Sequence, residues 1–380
     1  MNTAADDEVS PVDPPPTHDA KERRRRVIAG IVTVLVLVVV FAGILPKFGN
    51  YAEAWDLIKN MSIQDLAVLA SSVIFSIMVY VFPFQVSLPG LHYWPAFMIR
   101  QTSFTISNAV PAGGAVGLGV QYGMLAQAGF SGASATAAIG ITSVFNLMIT
   151  LALPVLGVLA LLFVGTPTSA QVFEGLAGLA AIAAMVGFFV AILHSEENAR
   201  KLGNRADIWI ASVMTRFHKS APASVTDQLV AFRDSTVEVV KARWELLTAT
   251  NFLQQFAQFG VLLVSLRIIQ TGESTEISVA AAFAAFALAR LAAFIPVTPG
   301  GLGTVDAALT GLLVAFGVSN TDALAATLLW RAASWIPQVL LGVVTFLIWR
   351  ARSGKMKADL ASKAVATSAS ATQIPPAAPA

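Results

Sequence analysis

Residues 27–45 run for 19 positions without a charged side chain, and comparable apolar stretches recur as far as residue 349. A helix of about 20 apolar residues matches the hydrocarbon thickness of a bilayer. There the backbone must satisfy its own polar groups, so repeated runs of this length leave an all-α polytopic membrane protein as the fold class. Composition agrees: the chain is 56% hydrophobic and 12% charged, about half the charge of a soluble domain. This excludes a soluble enzyme and a nucleic-acid binder. The formal net charge of +2 reads as basic loops beside a membrane rather than a polyanion-binding face. Cysteine is absent, which removes disulfides, thiolate catalysis and thiolate-held metals. The four histidines (His18, His92, His194, His218) are scattered in tails and loops, so neither a metal nor a cofactor is expected.

Residues 1–26 form an acidic, Pro-rich tail ending in Lys21-Glu22-Arg23-Arg24-Arg25-Arg26, expected to be disordered and cytoplasmic. The apolar run after it is too long for a signal peptide and reads as an uncleaved first span. Residues 46–64 are amphipathic and expected along the outer surface. Further helices are expected at 65–82, 92–110, 113–129, 132–165 and 170–193, which completes a first half at 27–193. Residues 194–243 form a cytoplasmic amphipathic linker. A second half at 244–350 holds helices at 244–269, 276–297, 300–317 and 320–349, and 351–380 is an Ala/Ser/Pro-rich tail expected to be disordered. About eight to ten membrane helices result, some short, broken or re-entrant. Of the 24 Lys and Arg, five fall in 21–26, eight in 194–243 and five in 350–363. With an even span count these regions share one side, which puts both termini in the cytoplasm.

A shift of 188 residues aligns two stretches without a gap. Pro111-Ala112-Gly113 falls on Pro299-Gly300-Gly301, Gly129-Phe130-Ser131 on Gly317-Val318-Ser319, and Ala137-Ala138 on Ala325-Ala326. An odd number of spans separates the copies, so the sequence predicts an inverted repeat. In such folds substrate sites lie near mid-membrane where broken helices meet.

The strongest single feature is residues 294–306, FIPVTPGGLGTVD. Proline ends one helix, glycines allow a tight corner, and Asp306 sits in the first turns of the next helix, where a carboxylate is favoured. Pro296, Pro299, Gly300, Gly301 and Gly303, with Pro111, Gly113 and Gly114 in the first copy, read either as packed turns or as hinges lining a path. Arg290 and Arg331 lie inside apolar helices, where an arginine costs about 2.5–3.5 kcal/mol on insertion scales and faces a partner or water. Either one pairs with Asp306 as a buried ion pair, or both hold an anionic headgroup through planar guanidinium forks. Thr327, Arg331, Ser334 and Gln338 share one helix face. Ser143, Asn146 and Thr150 repeat that phase. Asn251, Gln254, Gln255 and Gln258 add a third polar face, and Arg100, Ser103 and Ser107 a fourth. Interhelical hydrogen bonds are one reading of these faces, and a polar groove between the repeats is the other.

Residues 296–306, then Ala325-Ala326-Thr327-Leu328-Leu329-Trp330-Arg331 and Gly342, together with 110–119 (VPAGGAVGLG), resemble the lysylphosphatidylglycerol synthase transmembrane-region family. This family is also described as the flippase-like domain or UPF0104, and the first-copy motif is similar to its actinobacterial members. The resemblance covers roughly residues 25–350. It implies a relative of the lipid-translocating half of the multiple peptide resistance factor, which flips aminoacylated phosphatidylglycerol. It carries the Pro-Gly-Gly, the acid and the last-span arginine onto Pro299, Gly300, Gly301, Asp306 and Arg331. The usual acid is Glu, one methylene longer than Asp306. The 380-residue chain also has no room for the aminoacyl-transferase domain, so a stand-alone member is expected.

The resulting expectation is a cell-membrane lipid translocase for an anionic phospholipid or a polyprenyl-phosphate-linked lipid. Arg290, Arg331, Asp306, Arg100, Ser334 and Gln338 would lie at the headgroup. No P-loop accompanies the glycines, so movement would be downhill or ion-coupled. A membrane-embedded lipid or glycolipid transferase is the alternative, with Glu53 and Asp56 as its only outer-loop acids. A scaffold for a separate lipid-modifying enzyme is a third.

Overall fold

The computed structural model describes residues 51–109, 113–164, 187, 191, 195–216, 224–270, 276–294 and 301–371. The expected first span at 27–45, the helix at 170–193, the tails at 1–26 and 372–380, and Pro111, Pro296, Pro299 and Gly300 lie outside the described residues.

The described elements are helical: α1 (Tyr51–Lys59), α2 (Ile63–Val79), α3 (Phe82–Ser87), α4 (Tyr93–Ala109), α5 (Gly113–Gln127), α6 (Gly132–Val164), α7 (Glu196–Arg216), α8 (Val225–Ile269), α9 (Val279–Ala289), a 3-10 turn (Arg290–Phe294), α10 (Thr304–Ala315) and α11 (Asn320–Ala371). Among the described residues four stretches are long and apolar enough to cross a membrane: Ile63–Ser87, Gly132–Leu161, Thr236–Ile269 and Asn320–Arg352. Val279–Ala293 and Thr304–Ala315 are apolar but shorter. The chain is a multi-pass all-α membrane protein.

Helix ends follow local chemistry. Ser62 caps α2, accepting from the Asp65 amide at 3.1 Å while the Asp65 carboxylate takes the Ser62 amide at 3.0 Å. This reciprocal arrangement satisfies two otherwise free donors. Ser278 caps α9 through the Ala281 amide at 3.1 Å. α5 ends at Gly129 with the Phe130 amide on the Leu125 carbonyl, and α10 ends at Gly317 with the Val318 amide on the Leu313 carbonyl. That is the glycine-terminated C-cap in both places.

Two helices run past their expected bounds. α8 starts at Val225 rather than near 244, which makes the second half of the linker a stem continuous with the membrane helix. No Gly or Pro interrupts 225–259, so nothing in the backbone ends the helix at the membrane surface. α11 continues to Ala371, where a disordered tail was expected from 351. Alanine and lysine make up ten of the 21 residues in 351–371 and favour helix, and no proline falls among them.

α8 is the central element and packs against α2, α3, α6, α7, α9 and α11. α4 lies against α11, and α9 against α6. Small residues let these pairs approach. A Cβ on Gly157 of α6 would stand 3.0 Å from the Ala284 Cα of α9, and one on Gly342 of α11 would overlap the Thr105 hydroxyl and the Gln101 carbonyl of α4. The Thr102 and Thr345 hydroxyls meet at 2.9 Å across the same α4–α11 seam. Packing of small residues with occasional hydroxyl pairs is how helices associate where lipid removes the hydrophobic drive.

Candidate functional site

The corner after the 3-10 turn is built from glycine. Gly301 has φ 66° and Gly303 has φ 85°, a region that costs other residues about 1–2 kcal/mol. The first turn of α10 then places Asp306 three residues on. Its side chain is 1% exposed, one oxygen accepts the Gly303 amide at 2.8 Å, and the other accepts Arg331 Nε of α11 at 2.6 Å. Of the two arginines, Arg331 is the one that pairs with Asp306. This carboxylate holds both the corner and the guanidinium, and it is absent from the walls of the two polar cavities beside it.

The rest of Arg331 faces a cavity of about 180 Å³ that also receives Arg290, Gln254, Gln258, Ser334 and Gln338. Tyr80, Phe104, Asn108, Ala293, Val305, Trp330 and Trp335 complete its wall. Ala293 and Val305 pack on Gly301, so the two arginines open beside the glycine corner. Four buried polar atoms in this wall have no hydrogen-bond partner: Arg331 Nη2, Ser334 Oγ, Trp335 Nε1 and Gln338 Nε2. Three of the four can only donate, and the serine hydroxyl can donate as well.

A second cavity of about 240 Å³ lies on the other side of Arg290 and Gln254, lined by Arg100, Gln121, Thr142, Ser143 and Asn146. Tyr80, Gln254 and Arg290 border both cavities, so two adjoining polar cavities, with three arginines in their walls, lie between the halves. Each arginine lies over an aromatic face: Arg100 at 4.4 Å from the Tyr80 ring centre, Arg290 at 5.3 Å from Phe286, and Arg331 at 4.8 Å from Trp330. Such contacts hold a cation in an apolar setting without neutralising it. Among the described residues Asp306 is the carboxylate paired with any of the three.

The other expected groove residues are placed as follows. Asn251 donates to the Leu247 carbonyl at 2.7 Å, Thr150 to the Asn146 carbonyl at 2.7 Å, and Gln255 to Asn146 Oδ1 at 3.4 Å. These three are absent from the walls of both cavities. Gly113 and Gly114 open α5, and a Cβ on Gly113 would overlap the Ile106 carbonyl of α4. In α1, Glu53 accepts from Thr321 at 3.2 Å, and Asp56 makes an exposed pair with Lys59 at 2.8 Å. Among the described residues no three His, Asp or Glu gather where they could hold a metal.

Sequence reasoning did not single out Tyr80, Asn108, Gln121 or Trp335. Trp335 was within reach, being one helical turn past Arg331 on the same face. Tyr80, at the end of α2, carries no sequence signal of its own.

An apolar groove of about 530 Å³ runs between α2 and α11, from Leu66 to Ile77 on one side and from Ala333 to Val344 on the other. It ends one turn before Tyr80, where the polar crevice begins.

A family model described as the lysylphosphatidylglycerol synthase TM region matches residues 27–342. A UPF0104 membrane protein of Methanothermobacter thermautotrophicus is 30% identical over 167 residues, which cover 42% of this chain and 47% of that protein. The matched part is thus about half the length of that relative.

Proposed function

Since the chain belongs to the lysylphosphatidylglycerol synthase transmembrane-region family, a family of lipid-handling membrane proteins, we propose that it translocates a lipid with an anionic headgroup across the cell membrane. The supporting observation is that Arg331, Ser334, Trp335 and Gln338, each with a buried polar atom that has no partner, line a cavity together with Arg290. Buried donors without acceptors are unfavourable by about 1–3 kcal/mol each. Phosphate oxygens satisfy several at once and pair with guanidinium forks. Arg290 and Arg331 hold the phosphate, Arg100 receives it in the second cavity, and Asp306 positions Arg331 from behind. An anionic phospholipid and a polyprenyl-phosphate-linked lipid share this chemistry. The hydrocarbon chains lie in the groove between α2 and α11 and in the surrounding bilayer.

The 188-residue repeat gives this path its two ends. The hydrogen bonds at the end of α5 and the start of α6 recur at that offset: Phe130 to Leu125 as Val318 to Leu313, and Ala135 to Ser131 as Ala323 to Ser319. The packing is also reciprocal, α4 with α11 and α9 with α6, as expected when two copies are related by a two-fold axis. An axis in the membrane plane makes the copies inverted, with one cavity belonging to each. Gly113 and Gly114 at the start of α5, and Gly301 and Gly303 before α10, then act as gates, and the termini are cytoplasmic. Movement is downhill or ion-coupled.

The test is a fluorescent-phosphatidylglycerol flip assay in proteoliposomes. The wild type should move label faster than protein-free vesicles, and Arg290→Gln and Arg331→Ala should each slow it. Equal rates for wild type and both variants reject the mechanism.

A further inference from the structure

The same crevice carries information about which headgroups it refuses. A headgroup ending in an ammonium group brings hydrogen-bond donors and positive charge and has no acceptor at that end. The cavities offer it amide and hydroxyl oxygens but no opposite charge. Among the described residues no Asp or Glu lines either of them, and the sequence at 110–112 and 295–300 contains none. Asp306, the carboxylate behind the wall, is 1% exposed and already holds Gly303 and Arg331. Aromatic faces are the other usual recipients of an ammonium; of those in the walls, Tyr80, Phe84 and Trp330 already carry Arg100 or Arg331, which leaves Phe104 and Trp335. What the walls do carry is positive charge, together with Trp335 and Gln338, whose buried N–H donors have no partner.

We propose that the crevice selects lipids whose headgroup is net anionic and whose distal part is an uncharged hydroxyl-bearing group, and that it excludes aminoacylated headgroups such as lysyl-phosphatidylglycerol. Hydroxyl oxygens accept from the indole and amide donors, and Gln254 and Gln258 supply both donors and acceptors to a polyol. A lysyl group instead places two ammonium charges among Arg100, Arg290 and Arg331, where low dielectric strengthens the repulsion. The inference rests on the translocation reading above and narrows its substrate.

The experiment uses the full chain in proteoliposomes with two fluorescent lipids, phosphatidylglycerol and lysyl-phosphatidylglycerol. Phosphatidylglycerol should flip at least about tenfold faster, the factor that about 1.4 kcal/mol produces. Equal or faster movement of the lysyl lipid overturns the selectivity while leaving translocation standing. Movement of neither overturns the translocation reading and the selectivity with it. Gln338→Glu and, separately, Gln258→Glu place a carboxylate in the wall and should shrink the ratio severalfold. An unchanged ratio in a variant that still moves phosphatidylglycerol overturns the electrostatic basis.

Discussion

Replacing Asp306 with Asn tests the arrangement that holds Arg331 in place. The carboxylate is 1% exposed and its guanidinium partner 18%, at 2.6 Å, so water screens little of the interaction. Asparagine keeps one acceptor for the Gly303 amide but turns an uncharged amide toward Arg331. A buried charge that loses its partner destabilises by about 3–5 kcal/mol. Removing the charge as well, in Asp306→Asn with Arg331→Gln, should recover at least about 1.5 kcal/mol of that loss, because contacting residues couple by about 0.5–3 kcal/mol. Denaturant titration of the detergent-solubilised protein, followed by tryptophan fluorescence, measures all four members of the cycle. A single-variant loss under about 1 kcal/mol, the range of an exposed pair, combined with simple additivity in the double variant, would refute the claim that this pair fixes the corner.

Arg290 behaves differently, since among the described residues it has no carboxylate partner. Arg290→Leu should leave the melting temperature unchanged or higher, because an arginine at bilayer depth is unfavourable by about 2.5–3.5 kcal/mol, while lipid flipping falls. A large loss of stability contradicts this placement. Gly303→Ala, at φ 85°, should lose about 1–2 kcal/mol, measured by the same titration. Gly342→Val drives a branched side chain into Thr105 and the Gln101 carbonyl and should lose about 1–3 kcal/mol or more. Adding Thr105→Ala should relieve only part of that loss, because the carbonyl stays.

Much of this site was legible before any coordinates. The face Thr327–Arg331–Ser334–Gln338 followed from helical periodicity, and Arg331, Ser334 and Gln338 reach one cavity together. The glycine corner was visible because only a few sequences tolerate positive φ on two nearby residues. Which arginine pairs with Asp306 was not legible, since Arg290 and Arg331 lie on different elements and only their packing decides. The same limit applies to Asn251 and Thr150, which donate to helix carbonyls, and to Gln255, which donates to the Asn146 side chain; none of the three lines either polar cavity. Tyr80 enters the site only because α2 ends beside α8 and α11, a tertiary outcome with no local trace. The helix bounds at 225 and 371 were missed for the opposite reason: hydropathy marks where a membrane span ends, but propensity decides where the helix does.

The central claim is that a polar crevice between the halves holds an anionic lipid headgroup. Native mass spectrometry of the protein released from nanodiscs containing equal phosphatidylglycerol and phosphatidylcholine tests it most directly. Retained lipid should be predominantly phosphatidylglycerol for the wild type, and that preference should vanish in the Arg290→Gln/Arg331→Gln/Asp306→Asn variant. Retained lipid that mirrors the nanodisc, or a preference that survives the triple substitution, would contradict the account.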